Sequence, residues 1–221
     1  MYAGKPIIGI VGGIGSGKSF VARLFGELGC VVVDSDAQVR DAYRNPAVVE
    51  TLRKWWGDEV VNRDGSVNRS AVAARVFTEP AEKLRLEQLV HPMVHEARGR
   101  QMDAASKDAQ VVAFVWDTPL LLEAGLAGQC DAIVFVDAPF EQRLARVKAR
   151  SDWDEVELLR REKSQLALDT KRALSDYVIT NTAEAKDADS AMAGLREQVR
   201  RVLSQILTGS TTKRQPAEYG R

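Results

Sequence analysis

The 221-residue sequence is poor in the residue types that staple or decorate small proteins: it has two cysteines, two histidines and no excess charge of either sign. Two cysteines, Cys30 and Cys130, cannot build a disulfide framework, and their spacing is not a zinc pattern. Both sit beside apolar runs, so buried free thiols in a reducing compartment are expected. The 31 Lys+Arg are balanced by 31 Asp+Glu, which argues against a dedicated nucleic-acid binder but leaves room for a local anion site. No apolar run approaches the roughly 20 residues of a membrane span; the longest, Val111 to Trp116, stops at Asp117. Ile7 to Val11 is too short for a signal peptide and leads straight into glycines and Lys18. His91 and His95 have the i, i+4 spacing of a zinc helix, but Pro92 stands where such a helix carries Glu, and no third ligand is evident. Aromatics make up only 6% of the chain, and the Trp55-Trp56 pair reads as packing rather than as a base-stacking platform. From these absences a soluble, cytoplasmic protein with no nucleic-acid or membrane partner is expected; the separate expectation for its assembly is a monomer or weak homo-oligomer.

What is present is an ordinary globular composition, 45% hydrophobic and 28% charged. Short β-branched runs alternate with helical patterns. Ile7–Val11, Cys30–Val33, Val111–Trp116, Ala132–Val136 and Tyr177–Thr180 read as strands, apolar on both faces as in a parallel sheet covered by helices. The spacing predicts an α/β fold: a three-layer α/β/α core with a five-stranded parallel sheet. Helices are expected over Phe20–Leu28, Pro46–Trp56, Arg69–Phe77 and Pro80–Val90, with a further one starting at Pro92 and a last one over Asp187–Leu207. The second and third strands lie much farther apart than the roughly 30 residues of a simple βαβ unit. The core is therefore expected to comprise residues 1–36, 110–140 and 175–207. Residues 37–109 then form a helical acceptor-binding insertion, 141–174 a helical lid, and 208–221 a disordered tail.

The strongest motif is Gly12-Gly13-Ile14-Gly15-Ser16-Gly17-Lys18-Ser19, a full G-x-x-x-x-G-K-[ST] match placed between a strand and a helix. Glycines let the backbone wrap a phosphate and aim N–H groups inward, and the helix N-terminus adds its dipole. Lys18 is expected to reach the β/γ-phosphates, and the Ser19 hydroxyl to ligate Mg²⁺. The motif says nucleoside triphosphate, not which reaction.

Two strands end in aspartate, where open parallel sheets bind ligands. Asp34 or Asp36 follows the second strand and could orient an acceptor hydroxyl and take its proton; one of them could instead cap the next helix. Asp117 ends the third strand and resembles a Walker B acid holding Mg²⁺ through water. Arg143, Arg146 and Arg150 fall at i, i+3 and i+7, either a row closing over a triphosphate or a solvated helix face. The Asn-Lys-x-Asp and Asp-x-x-Gly strings of regulatory GTPases do not occur, which disfavours a switch protein. A helical insertion and a basic lid fit a small-molecule kinase, so the α/β/α core is expected to be P-loop and nucleotide-kinase-like.

From Ile7 to about Asn181 the sequence resembles the dephospho-coenzyme A kinase family. The resemblance rests on the phosphate loop, Val33-Asp34-Ser35-Asp36, Val67-Asn68-Arg69, Arg75-Val76-Phe77, Leu86-Glu87 and His91-Pro92. It continues through Asp117-Thr118-Pro119-Leu120-Leu121 with Glu123, the Arg146/Arg150 pair, Gln165, and Asp176 to Asn181. It implies ATP-dependent phosphorylation of the ribose 3′-hydroxyl of dephospho-CoA, with Mg²⁺; a nucleoside or nucleotide kinase, or a non-catalytic NTP-binding protein, is the alternative. By the same resemblance Asp36 is the acceptor-activating carboxylate, and Gly13, Gly15, Ser16, Gly17, Lys18, Ser19 and Phe20 cradle the nucleotide. Arg69, His91, Pro119, Leu120 and Leu121 are acceptor-site elements. Arg146 and Arg150 are lid arginines, with Arg146 acting on the transferring group, and Asn181 lies near the adenine. Phe20 replaces the family's usual Thr, Ser35 and Ser175 stand where Ala is common, and Arg143 holds the place of a usual glutamine, with Gln142 before it.

Overall fold

In the computed structural model, whose described residues are 1–151, 153–182 and 188–209, five strands form one sheet: β1 (Ile7–Gly12), β2 (Cys30–Asp34), β3 (Ala113–Asp117), β4 (Ala132–Asp137) and β5 (Tyr177–Thr180). Their order is β2-β3-β1-β4-β5. β1 pairs in parallel with both β3 and β4, and β4 in parallel with β5. All six residues of β1 and all five of β3 are buried, as a strand covered on both faces requires. The chain moves to one side of β1 for β2 and β3 and to the other for β4 and β5. The carboxyl end of β1 is therefore the topological switch point, where a doubly wound sheet opens its ligand crevice.

One face of the sheet is covered by α1 (Lys18–Gly26) and α9 (Ala188–Leu207). Val21, Ala22, Leu24 and Phe25 of α1 meet Leu195, Val199, Val202 and Leu203 of α9 over Ile8, Ile10, Val115, Val134 and Val136. On β1, Gly9 admits Leu121 and Cys130; a β-carbon there would come within 2.9 Å of Leu121 Cδ1 and 3.0 Å of Cys130 Sγ. Cys30 is buried and Cys130 half-buried, both as free thiols. The lid segment expected over 141–174 holds α6 (Phe140–Ser151), α7 (Glu155–Glu162) and α8 (Leu168–Ala173).

The chain divides into two compact units, Asp34–Asp103 and the remainder. The first has its own core of Val48, Leu52, Trp56, Val60, Val72, Leu86, Val90 and Val94. It contains α2 (Ser35–Ala42), α3 (Pro46–Trp56), α4 (Arg69–Thr78) and most of α5 (Pro80–Ser106). Asn45 caps α3 by accepting from the Ala47 N–H, and Pro46 occupies its first position. The indole N–H of Trp56 donates to Glu82 Oε2 at 2.6 Å, and the Arg85 guanidinium lies 4.0 Å over the Trp55 ring, so both tryptophans pack within this unit.

Two helices were expected where α5 runs unbroken, with Pro92 inside it. Proline removes one hydrogen bond to the carbonyl four residues back. Both Pro92 and Gln88 are exposed, so water can satisfy the orphaned carbonyl and the helix continues. Of the expected last helix, Asp187 lies outside the described residues, as does the tail from 210 onward. Among the described residues no helix is long and apolar enough to cross a membrane.

Candidate active site

The phosphate loop leaves β1 at the switch point. Gly12, Gly15 and Gly17 have φ of 152°, 76° and 89°, backbone that side chains rarely adopt. Space is equally short. A β-carbon on Gly12 would stand 2.5 Å from the Val136 carbonyl oxygen, and one on Gly15 would stand 2.6 Å from that of Arg143. Gly17 precedes α1, whose first turn carries no acidic residue, so its N–H groups remain an anion site. Ser16 is fully buried, and its hydroxyl has no hydrogen-bond partner among the described residues. Ser19 is exposed at the start of α1, and the ring of Phe20 lies beneath the Arg23 guanidinium at 5.2 Å.

The loop carbonyls are held from outside. Lys18 Nζ donates to the Gly12 and Gly13 oxygens at 3.1 and 2.8 Å. Arg143 donates to the Ile14 oxygen at 3.1 Å. Arg146 donates to the Gly15 and Ser16 oxygens, each at 3.3 Å. Asn181, buried at the end of β5, donates from Nδ2 to the Ser16 oxygen at 2.8 Å. Arg146 also reaches the Asn181 carbonyl oxygen at 3.1 Å and Gln142 Oε1 at 3.3 Å.

The arginine row divides accordingly. Arg143 is buried and ion-paired to Glu162, Arg146 is half-buried on the loop, and Arg150 is exposed. Burial pulls the Arg146 guanidinium below its usual pKa. Burial also pulls Lys18 down to about 8, helped by the positive charges of Lys171 and Arg143 and opposed by Asp117 and Glu162. Asp117 is buried at the end of β3, in register with Ile10 of β1, so its carboxylate lies next to the strand that feeds the loop.

Lys171, on α8, was not marked in the sequence. It is 2% exposed, and its ammonium donates to Gln165 Oε1 at 2.8 Å and pairs with Glu123 at 2.9 Å. Glu123 also accepts from the Leu166 N–H at 3.1 Å. The segment after β3 is thereby tied to the segment between α7 and α8. Within that segment Leu121 is buried against β1, while Pro119 and Leu120 are exposed.

In the helical unit the two candidate aspartates separate by role. Asp34 caps α2, accepting from the Ala37 N–H at 2.9 Å, and pairs with Arg40 at 3.4 Å. Asp36 is exposed in the first turn of α2. Buried Arg98 of α5 donates to Ser35 Oγ at 3.4 Å, an arginine that its sequence neighbourhood gave no reason to single out. Arg69 opens α4 behind the cap Asn68, which accepts from the Ala71 N–H at 3.2 Å. Burial raises the pKa of the nearby Tyr43 phenol, and the Arg69 charge opposes that rise. His91 and His95 are exposed on α5.

A dephospho-CoA kinase family model matches residues 6–187. A dephospho-CoA kinase of Anaeromyxobacter dehalogenans is 39% identical, over 86% of this chain and 92% of its own. One of Syntrophotalea carbinolica is 36% identical, over 92% and 93%. The solved structure of TT1252 from Thermus thermophilus aligns with a TM-score of 0.75 at 35% identity, covering 91% of this chain and 97% of that one. A dephospho-CoA kinase from Campylobacter jejuni, 21% identical, shares the fold with a TM-score of 0.65 over 95% and 100% of the two chains. The glycine-constrained loop with its half-buried lysine, the sheet order around it and these matches lead to one conclusion: the chain belongs to the dephospho-CoA kinase family.

Proposed function

We propose that the protein transfers the γ-phosphoryl group of ATP to the ribose 3′-hydroxyl of dephospho-CoA, giving coenzyme A and ADP. The observation that carries this reading is the phosphate loop at the switch point of β1, with Lys18 Nζ donating to its Gly12 and Gly13 oxygens, in a chain matched by the family model over residues 6–187. The transfer is in line and direct. The 3′-oxygen attacks the γ-phosphorus, the bond to the β-phosphate oxygen breaks, and ADP leaves with that electron pair. Asp36 orients the hydroxyl and takes its proton. Gly13, Gly15, Ser16 and Gly17 cradle the phosphates, and Lys18 and Arg146 offset charge on the transferring group. Phe20, Arg150 and Asn181 serve the nucleotide. Arg69, His91, Pro119 and Leu120 contact the acceptor, with Leu121 anchoring their segment.

Ser19 would ligate Mg²⁺ through its hydroxyl and Asp117 would hold it through water, oxygen donors of the kind this hard ion takes. Among the described residues no cluster of three metal-binding side chains occurs. When bound, Mg²⁺ neutralises phosphate charge. Two free thiols, one pushed up to about 12 by burial at Cys30, suit a reducing cytoplasm.

The test is ATP consumption with dephospho-CoA, set against adenosine and nucleoside monophosphates. Turnover only with dephospho-CoA supports the reading; turnover preferring a nucleoside monophosphate refutes it. Asp36→Asn should lower kcat by orders of magnitude with ATP binding retained, and near-normal turnover would remove Asp36 as the base.

A further inference from the structure

Arg143 and Glu162 together grip a single residue of the phosphate loop at both of its peptide groups. Arg143 Nη1 donates to the Ile14 carbonyl oxygen at 3.1 Å. Glu162 Oε1 accepts from the Ile14 N–H at 3.2 Å. The same Nη1 and Oε1 atoms pair with each other, and Arg143 Nε has no hydrogen-bond partner among the described residues. The side chains of Arg143 and Glu162 are 6% and 17% exposed, so the pair works out of bulk water, where such bonds are strong. The loop is built to admit it. A β-carbon on Gly13 would fall 2.8 Å from Arg143 Nη1 and 3.2 Å from Glu162 Oε1. Both charges also act on Lys18, in opposite senses.

We propose that Arg143 and Glu162 are positioning residues for the nucleotide: as a donor–acceptor clamp on Ile14 they fix the peptide groups on either side of it, and so set the affinity of the loop for ATP. The pair links α6 and α7 to the loop, so the lid segment contributes to the phosphate site through backbone orientation as well as through any cation it offers. A glutamine at position 143 could bond the same carbonyl but would bring no charge to hold a carboxylate at 162 in place. Arg143 and Glu162 therefore function together. The polarity is essential: the carbonyl needs a donor from 143 and the N–H needs an acceptor from 162.

This inference rests on the reading of the loop as a nucleotide cradle. The experiment measures the dissociation constant of a non-hydrolysable ATP analogue by calorimetry, KM for each substrate, and melting temperature. It uses wild type, Arg143→Gln, Glu162→Gln, the double variant, and the charge swap Arg143→Glu/Glu162→Arg. Each single variant should weaken nucleotide binding about tenfold, the worth of one charge-assisted hydrogen bond, with the acceptor KM within about twofold of wild type. The double variant should be no worse than the weaker single, since the two act as one unit. The swap is the decisive arm. It restores the ion pair and with it melting temperature, but it sets an acceptor against the Ile14 carbonyl and a donor against its N–H. Nucleotide affinity should therefore stay low in a protein that melts as wild type does. Recovery of affinity in the swap, additive losses in the double variant, or equal movement of both KM values would each reduce the pair to a structural ion pair and overturn the proposal. Wild type that binds no ATP analogue would overturn the nucleotide reading itself, whereas wild-type binding with unmoved variants overturns only the clamp.

Discussion

Lys171→Met is the perturbation that most sharply tests how this site is held. The ammonium is 2% exposed and bonds Gln165 and Glu123, whose side chain is 18% exposed. Methionine fills much of the same volume and removes only the charge and donors, leaving Glu123 with the Leu166 N–H as partner. Breaking a fully buried pair costs about 3–5 kcal/mol; with water reaching Glu123, about 2–4 kcal/mol is expected. For a chain of this size that lowers the melting temperature by about 5–12 °C. Lys171→Met/Glu123→Gln removes the stranded charge and should recover half or more of the loss. Burial pushes the Glu123 carboxyl up, but hydrogen bonds from Lys171 and from the N–H groups of Glu123 and Leu166 outweigh it and hold it below its usual 4.5. A depressed carboxylate contributes stability above its unfolded value and loses it as pH falls through the folded one. The gap between wild type and Lys171→Met should therefore narrow on acidification below about 4.5. The same variant removes, after burial, the largest influence lowering Lys18, so the alkaline limb of kcat/KM for ATP should move to higher pH. Scanning calorimetry over pH and a pH–rate profile check both. A Lys171→Met protein as stable as wild type, or a double variant whose losses add, would refute the buried-pair reasoning.

Lys18 at about 8 in the free protein predicts that kcat/KM for ATP falls above about pH 8, because the neutral amine no longer attracts phosphate; Lys18→Arg should abolish that limb in a pH–rate profile. Gly17→Ala forces a side chain to φ 89° and into Asn181 Nδ2; strain of about 1–2 kcal/mol plus the displaced amide should lower ATP-analogue affinity by at least about tenfold in calorimetry. Gly65→Ala, at φ 82° with nothing within 4 Å, is the control, with a small melting loss and unchanged nucleotide affinity. Trp56→Phe deletes the 2.6 Å bond to Glu82 and should cost about 1–2 kcal/mol, read as a lower melting temperature with ATP affinity intact.

The sheet was legible because its strands are short apolar runs, those of β1, β3 and β4 buried on both faces, a signal each strand carries alone. The loop was legible because its glycines answer to local backbone constraint, with Gly15 and Gly17 at φ of 76° and 89°. Pro92 misled because proline reads as a helix start, while its exposure, which lets α5 continue, is a tertiary fact. Arg143, Lys171 and Arg98 were opaque for a related reason. Each is a cation whose burial depends on an acceptor far away in sequence, Glu162, Glu123 and Ser35 respectively. Composition predicts such side chains at the surface, and the i, i+3, i+7 spacing of Arg143, Arg146 and Arg150 cannot say that the first turns inward.

The hydrogen bonds around the loop explain why so many basic groups crowd one turn of backbone. Carbonyl and N–H point in opposite directions across a trans peptide. The oxygens of Gly12, Gly13, Ile14, Gly15 and Ser16 all accept from Lys18, Arg143, Arg146 or Asn181. Drawing these carbonyls toward donors turns the N–H groups of Gly13, Gly15 and Gly17 the other way, the orientation an anion needs, while the Ile14 N–H is taken by Glu162 Oε1 and the Ser16 N–H by the Gly13 oxygen. The arrangement is preorganised at the cost of burying cations, and the cost is visible in the lowered pKa of Lys18 and of Arg146. Asp117 and Glu162 offset part of it at Lys18, so a chain of zero net charge can still gather cations around its phosphate loop. A site built this way is fragile in a specific sense. Removing a basic residue subtracts a charge from the pocket and also releases a loop carbonyl, so losses in nucleotide affinity should exceed what a missing point charge would cause. Added salt would restore neither.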